Sequence, residues 1–300
     1  MKEKLKTKPI LVTGSHRSGT TWVGKMLSLA PGVVYIHEPL KIDSPRIIEK
    51  GLCKVKAKAG AKNWFTFVDE HNEDEFLSFY EEVIHIKWHD LIYFRESRSF
   101  RDIVRLYKWL RKNVVPLSKE CQNRVLLKDP IAIFSAEWFA RRLCAQIVIL
   151  IRHPAAFASS LVRYGWHHPF SHFIEQPHLM KRLQQYESEV LEFSEQDRDI
   201  IDQAILLWKL IYATVINYQH SFQDWVYIRY EDVTVNSQSN FRELYERLGL
   251  RWSERIASEI MRNRNPNIDG WRQELTQEEV DRIKEGTKGI WQHFYVESDW

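Results

Sequence analysis

The chain has 300 residues, 44% of them hydrophobic and 28% charged, which is enough apolar material for a folded core and too much for a disordered segment. Its 43 Lys and Arg against 40 Asp and Glu leave a formal charge of +3, which argues against a nucleic-acid binder working through a broad basic field, so any anion recognition has to be local. The longest apolar run, Ile147 to Ile151, is a strand's length, and MKEKLKTKPILV lacks the apolar region and cleavage site of a signal peptide, so neither a membrane span nor export is expected. Three cysteines, Cys53, Cys121 and Cys144, lie far apart without CxxC spacing, which supports neither a disulfide framework nor a zinc site and makes a reducing cytoplasm the expected compartment.

Short β-rich runs alternate with helical ones along the chain. Pro9-Thr13 precedes a helix over Thr20-Ala30, Val33-His37 follows as a strand, and Arg124-Leu127 leads into helical Ile133-Leu143. Gln146-Ile151 then precedes helical Ala155-Tyr164, a long helical pattern runs from Asp197 to His220, and Trp225-Arg229 leads into Asn240-Leu248. Strand, helix, strand at this spacing predicts an α/β fold, a central parallel sheet with helices on both faces. Insertions at about 53–120 and 166–224 have no strand partner and read as amphipathic helices and loop forming a cap on the acceptor side. No internal repeat or linker divides the chain, so a single domain over 1–300 is expected.

Open parallel sheets bind ligands beyond the carboxyl ends of their strands. The first strand runs into Gly14-Ser15-His16-Arg17-Ser18-Gly19-Thr20-Thr21-Trp22, a glycine-containing turn opening a helix, whose amides and dipole form an anion cradle. The G-x-x-x-x-G spacing matches a nucleotide P-loop, but Thr20 stands where a Walker A lysine would follow, and the cation sits earlier at Arg17. The other strands end in His37-Glu38-Pro39, Lys128-Asp129-Pro130, Arg152-His153-Pro154 and Tyr230-Glu231-Asp232, each placing an ionisable group on one rim. Proline just past a strand is an ordinary stop signal; the charges before it are not explained that way.

The ordered set GSHRSGTTW, VVYIHEPL, LLKDP, IRHPAAFASSL and IRYEDV resembles the sulfotransferases that use 3′-phosphoadenosine 5′-phosphosulfate (PAPS), over about residues 9 to 165 and 225 to 295. An acidic residue after the second strand and KDP after the third are most similar to the carbohydrate and tyrosylprotein branches and their bacterial relatives. The resemblance implies a P-loop-like domain that moves a sulfuryl group from PAPS to an acceptor, a hydroxyl in preference to an amine, without a metal, leaving adenosine 3′,5′-bisphosphate. It implies a 5′-phosphosulfate loop of His16, Arg17, Ser18, Gly19, Thr20, Thr21 and Trp22, and a 3′-phosphate grip of Arg152 and Ser160. Tyr230 would lie close to the nucleotide, and Trp271 and Arg272 would close over it, although Asp269-Gly270 replaces an expected serine before the Trp. Arg17 and Lys128 would stabilise charge in the transition state.

Glu38 is the candidate base, a strand-end carboxylate able to take the acceptor's proton provided burial brings its pKa toward neutrality. Structural readings stand beside these: a capping or salt-bridged Glu38, a surface ion pair for Arg152, a contact of Lys128 with Asp129, and a half-buried strand aromatic for Tyr230. Asp129 itself reads as a cap on the next helix. The expected acceptor is a small molecule or saccharide, favoured as carbohydrate or glycolipid, with Trp64, Phe67, Trp88, Tyr93, Tyr107, Trp109 and Trp166 as stacking faces or as core. Arg95, Arg98, Arg101, Arg105, Lys108, Arg111 and Lys112 at helical spacing read as a solvated face or an attraction for an anionic saccharide. His167, His168, His172 and His178 have irregular loop spacing and read as exposed or acceptor-contacting side chains rather than metal ligands. A P-loop kinase or NTPase and a non-catalytic nucleotide-binding protein are the alternatives.

Overall fold

The strands β1 (Ile10–Gly14), β2 (Val33–His37), β3 (Ile47–Gly51), β4 (Lys54–Lys58), β5 (Arg124–Lys128), β6 (Gln146–Ile151) and β7 (Val226–Arg229) form two sheets in a computed structural model that describes residues 8–51, 54–85, 124–264 and 267–300. Five of them make one parallel sheet in the order β2-β5-β1-β6-β7. The order reverses at β1, whose successor β2 lies to one side and whose neighbour β6 lies to the other, so the β1 loop opens at the switch point where such sheets hold ligands.

The Val-, Ile- and Leu-rich strands are buried on both faces, and alternation along each sorts its side chains. Leu11, Val125, Leu127, Ile147 and Ile149 join one core, while Ile10, Val12, Leu126, Val148 and Leu150 join the other. Helices Ala136–Arg142, Pro154–Tyr164 and Ile200–Ser221 cover the first face; Thr20–Leu27, Ser237–Arg247 and Glu254–Arg262 cover the second. Each fully buried aliphatic side chain contributes about 1.5–3 kcal/mol by leaving water.

The expected insertions resolve differently from their sequence reading. β3 and β4 form an antiparallel hairpin that sequence periodicity did not pick out, and the helix Asp74–Ile84 buries Phe76, Phe79, Tyr80 and Val83 in the first core. Within 166–224, the helix Ile200–Ser221 is a core element rather than a cap: Leu207, Trp208, Ile211 and Tyr212 are fully buried against the sheet. It is long and apolar enough by composition to cross a membrane, and its buried residues pack into the first core. Residues 86–123, which carry Trp88, Tyr93, Tyr107, Trp109 and the basic run, lie outside the described residues. So do Cys53 and Cys121; Cys144 is an exposed free thiol.

Candidate active site

The loop after β1 is folded by the Ser15 carbonyl, which accepts from the Ser18 amide at 3.2 Å and the Ser18 hydroxyl at 2.5 Å. Arg17 (φ 64) and Gly19 (φ 88) take left-handed backbone, a cost of about 1–3 kcal/mol at the arginine that such loops sustain at functional sites. At Gly19 a Cβ would lie 2.2 Å from two ring carbons of Tyr230, so glycine meets both the backbone and the space requirement. The following helix has no acidic residue in its first turn and leaves the amides of Gly19, Thr20 and Thr21 without intrahelical acceptors at its positive end. Tyr212, from the core helix, anchors this loop: its hydroxyl is 3.0 Å from Ser15 Oγ and accepts from the Arg152 amide at 2.9 Å.

A cavity of about 540 Å³ opens over the loop, and His16, Arg17, Gly19, Thr20, Thr21 and Trp22 all line it. Ser18 does not; its fully buried side chain closes the turn. Arg152, Ser160, Tyr230 and Trp271 reach the same cavity from the β6 end, the helix Pro154–Tyr164, the β7 end and the late segment. Arg152 is 14% exposed, with Nε 3.6 Å from Glu231 Oε1 and Cζ 4.2 Å from the Tyr230 ring centre. That Nε is buried without a hydrogen-bond partner, an orphan that suits an anionic ligand. Ser160, expected beside Arg152, instead accepts from Arg17 Nε at 2.9 Å, while Tyr164 supports the same guanidinium at 4.3 Å. Tyr230 is not a strand residue but begins the helix Tyr230–Val235. Arg272 turns away: it stacks on Trp271 and donates to the carbonyls of Trp300 and of Asp299.

Glu38 and Lys128 meet at the junction of β2 and β5, with Lys128 Nζ donating to Glu38 Oε1 at 2.5 Å. Parallel register sets His37 beside Lys128, and the Glu38 amide donates to the Lys128 carbonyl at 2.7 Å. The buried lysine stem runs past Gly24, where a Cβ would stand 3.1 Å from Lys128 Cγ. Burial raises the Glu38 carboxyl, but the hydrogen bond and charge of Lys128, aided by His37 and Lys58, outweigh it and hold the pKa below its ordinary value. The shift toward neutrality expected from the sequence is therefore absent, and the carboxylate is ionised. Glu38 also has φ 47, and Lys58 on β4 donates to its carbonyl at 2.6 Å. Asp129 caps the 3-10 turn Pro130–Ser135 by accepting from the Ile131 amide, and burial pushes its carboxyl up to about 7.

A second cavity of about 640 Å³ adjoins the first and shares His16, Glu38, Pro130 and Trp166 with it; Trp64, Ile42 and Lys41 are among its other walls. Trp64 and Trp166 meet edge to face at 5.4 Å, while Phe67 is buried core. His16 packs between Trp166 at 4.8 Å and Phe157 at 5.2 Å, and burial and Arg17 hold its imidazole neutral, with a pKa lowered to about 3. Of the other histidines, His172 accepts from the Trp64 amide at 2.9 Å, His167 pairs with Gln203, and His168 is buried among aromatics.

Sequence reading missed Lys25 and Arg163, which also line the first cavity. Helical spacing carried a signal for both, since Lys25 lies one turn after Thr21 and Arg163 one turn after Ser160. Lys58 gave no such signal, because it enters on the unread hairpin.

An anion-cradling loop at the switch point of a parallel sheet, flanked by arginines and a lysine–carboxylate pair, defines an α/β protein with a P-loop-like anion site. The chain belongs to the sulfotransferase family, whose model, described as "Sulfotransferase family", matches residues 9–254. Solved structures similar to it include the sulfotransferase domain from the curacin biosynthetic pathway, at 14% identity and TM-score 0.46, covering 93% of this chain and 96% of that one. A sulfotransferase from Mycobacterium tuberculosis matches at 16% identity and TM-score 0.46, covering 95% of this chain and 77% of that one. Another, from Mycobacterium avium, matches at 14% identity and TM-score 0.45, covering 97% of this chain and 77% of that one. No curated protein matches the chain.

Proposed function

We propose that the protein transfers the sulfuryl group of PAPS to the hydroxyl of a carbohydrate or glycolipid acceptor. The observation that carries this reading is the meeting of two cavities at Glu38, one floored by the β1 loop and the other walled by Trp64 and Trp166. The free amides of Gly19, Thr20 and Thr21, with Arg17, suit a 5′-phosphosulfate, and the orphaned Arg152 Nε suits the 3′-phosphate that distinguishes this nucleotide. Trp22, Tyr230 and Trp271 offer aromatic walls for its purine.

In the step itself the acceptor oxygen attacks sulfur as the bond from sulfur to the 5′-phosphate oxygen breaks. The hydroxyl proton passes to Glu38, and adenosine 3′,5′-bisphosphate departs. Sulfuryl transfer resembles phosphoryl transfer in its loose, charge-spread transition state, so fixed cations do most of the catalysis. Arg17 and Lys128 supply them, and Lys128 also keeps Glu38 ionised and ready to accept a proton. Indole faces such as Trp64 and Trp166 stack on sugar rings, which favours a saccharide in the second cavity.

The test follows sulfate from labelled PAPS into a panel of oligosaccharides and glycolipids, with aryl alcohols and peptides as comparators. A labelled saccharide product from wild type, lost in Glu38→Gln, is the expected result; transfer confined to aryl alcohols or peptides overturns the acceptor class, and no transfer from PAPS to any member overturns the reaction.

A further inference from the structure

Outside the two cavities described above, three side chains from two segments converge. Asp69 and His71 lie in the turn before the helix Asp74–Ile84, and His178 is the second residue of the helix Pro177–Arg182. The two imidazoles approach one carboxylate oxygen: His71 Nδ1 is 3.3 Å and His178 Nδ1 3.2 Å from Asp69 Oδ2. Their ring centres are 4.1 Å apart. The other carboxylate oxygen, Asp69 Oδ1, accepts from the His71 amide at 3.0 Å and is fixed by the turn. Arg182 is engaged by Glu137 at 2.8 Å.

From this arrangement we infer a binding site for a borderline divalent transition metal, with Zn²⁺ the best fit, held by Asp69, His71 and His178. Two ring nitrogens within 3.3 Å of one carboxylate oxygen bring three potential ligand atoms together, a grouping that a shared cation satisfies once the rings turn their lone pairs toward it. Zinc bonds of about 2.0–2.1 Å place tetrahedral ligands about 3.3–3.4 Å apart, close to the two N···O separations observed. The remaining edge closes by rotation of the imidazoles, because all three donor atoms lie within 4.8 Å of one another and both histidines are exposed. Two histidines, one carboxylate and a water complete a tetrahedral set in which the soft-to-hard balance favours zinc over calcium or magnesium.

The metal would tie the loop carrying Trp64 to the segment carrying Trp166. Those stretches are already joined by the Phe67 amide donating to Gln176 at 2.8 Å and Asn63 donating to Glu175 at 2.9 Å. Sequence spacing hid the cluster, since His178 stands more than a hundred residues beyond Asp69.

The experiment uses the full chain, stripped by a chelator, titrated with Zn²⁺ by calorimetry and with Co²⁺ by visible absorption. The expected result is one metal per chain, an intense tetrahedral Co²⁺ band and a rise in Tm with Zn²⁺. His178→Ala and His71→Ala should each weaken binding by about tenfold or more, since even outer-shell losses cost that much, while His220→Ala leaves it unchanged. Both substituted side chains are about half exposed or more, so the variants fold. Absence of stoichiometric binding, or binding that survives both substitutions, overturns the assignment.

Discussion

Lys128 Nζ lies 2.5 Å from Glu38 Oε1, and of the two side chains only the carboxylate retains solvent access, at 29% against 1%. The lysine thus holds the Glu38 carboxylate ionised and presents positive charge to the cavity that both residues line. Replacing Lys128 by Met leaves burial as the dominant influence on Glu38 and raises its pKa. Turnover should fall about 10²–10³-fold, and the acid limb of the pH–rate profile should move upward, because activity then waits for Glu38 to lose its proton. Glu38→Gln should lose about 10²-fold or more in kcat with nucleotide affinity within a factor of about three, read by paired kinetics and calorimetry.

Gly19→Ala places a methyl where Tyr230 ring carbons stand 2.2 Å away, on backbone at φ 88. The loop must move or strain by about 1–3 kcal/mol. Thermal unfolding should show that loss together with a weakening of adenosine 3′,5′-bisphosphate binding of about tenfold or more, whereas Gly249→Ala, also at positive φ but with open space around it, should lower Tm without changing affinity.

Tyr212→Phe removes the hydroxyl shared by Ser15 and the Arg152 amide. Leaving a buried donor unsatisfied costs about 1–3 kcal/mol, visible in denaturant unfolding. Because the same hydroxyl joins the β1 loop to the β6 end, bisphosphate affinity should drop with stability; an unchanged Kd would mean that the loop holds its shape without this anchor.

His16 and His153 are both buried neutral, with pKa values lowered to about 3, chiefly by burial. In the unfolded chain a histidine takes a proton near pH 6.5, so between pH 6.5 and 3 the unfolded state binds more protons and stability falls as the pH drops. His153 leaves both ring nitrogens unpartnered while stacked on Trp271 at 5.1 Å. His153→Phe should therefore gain Tm relative to wild type as the pH falls from 7 to 5, and a constant difference over that range would contradict the account.

Much of this was legible because strand ends carry both chemistry and punctuation. Gln146-Ile151 and Val33-His37 coincide with β6 and β2, and their flanking prolines and charges mark the rim. What stayed hidden depends on tertiary packing. Arg17 takes the Ser160 hydroxyl that spacing had paired with Arg152, because left-handed backbone at Arg17 turns its side chain across the loop. Arg272 follows Trp271 in sequence yet faces the C-terminus, one residue on a helical turn being about 100° away. The β3–β4 hairpin, and with it Lys58, escaped a reading tuned to parallel strands and helices. Glu38 was located by its strand, while its protonation state was set by a lysine ninety residues later.

The central claim is that this cavity takes a nucleotide bearing a 3′-phosphate, and calorimetric titration with adenosine 3′,5′-bisphosphate, AMP and ATP, with and without Mg²⁺, tests it most directly. The account predicts tight, metal-independent binding of the bisphosphate, reduced about 10–100-fold in Arg152→Ala as a charge-assisted contact is lost, with AMP weak and little affected. Preference for ATP with Mg²⁺, or bisphosphate binding indifferent to Arg152, would contradict it.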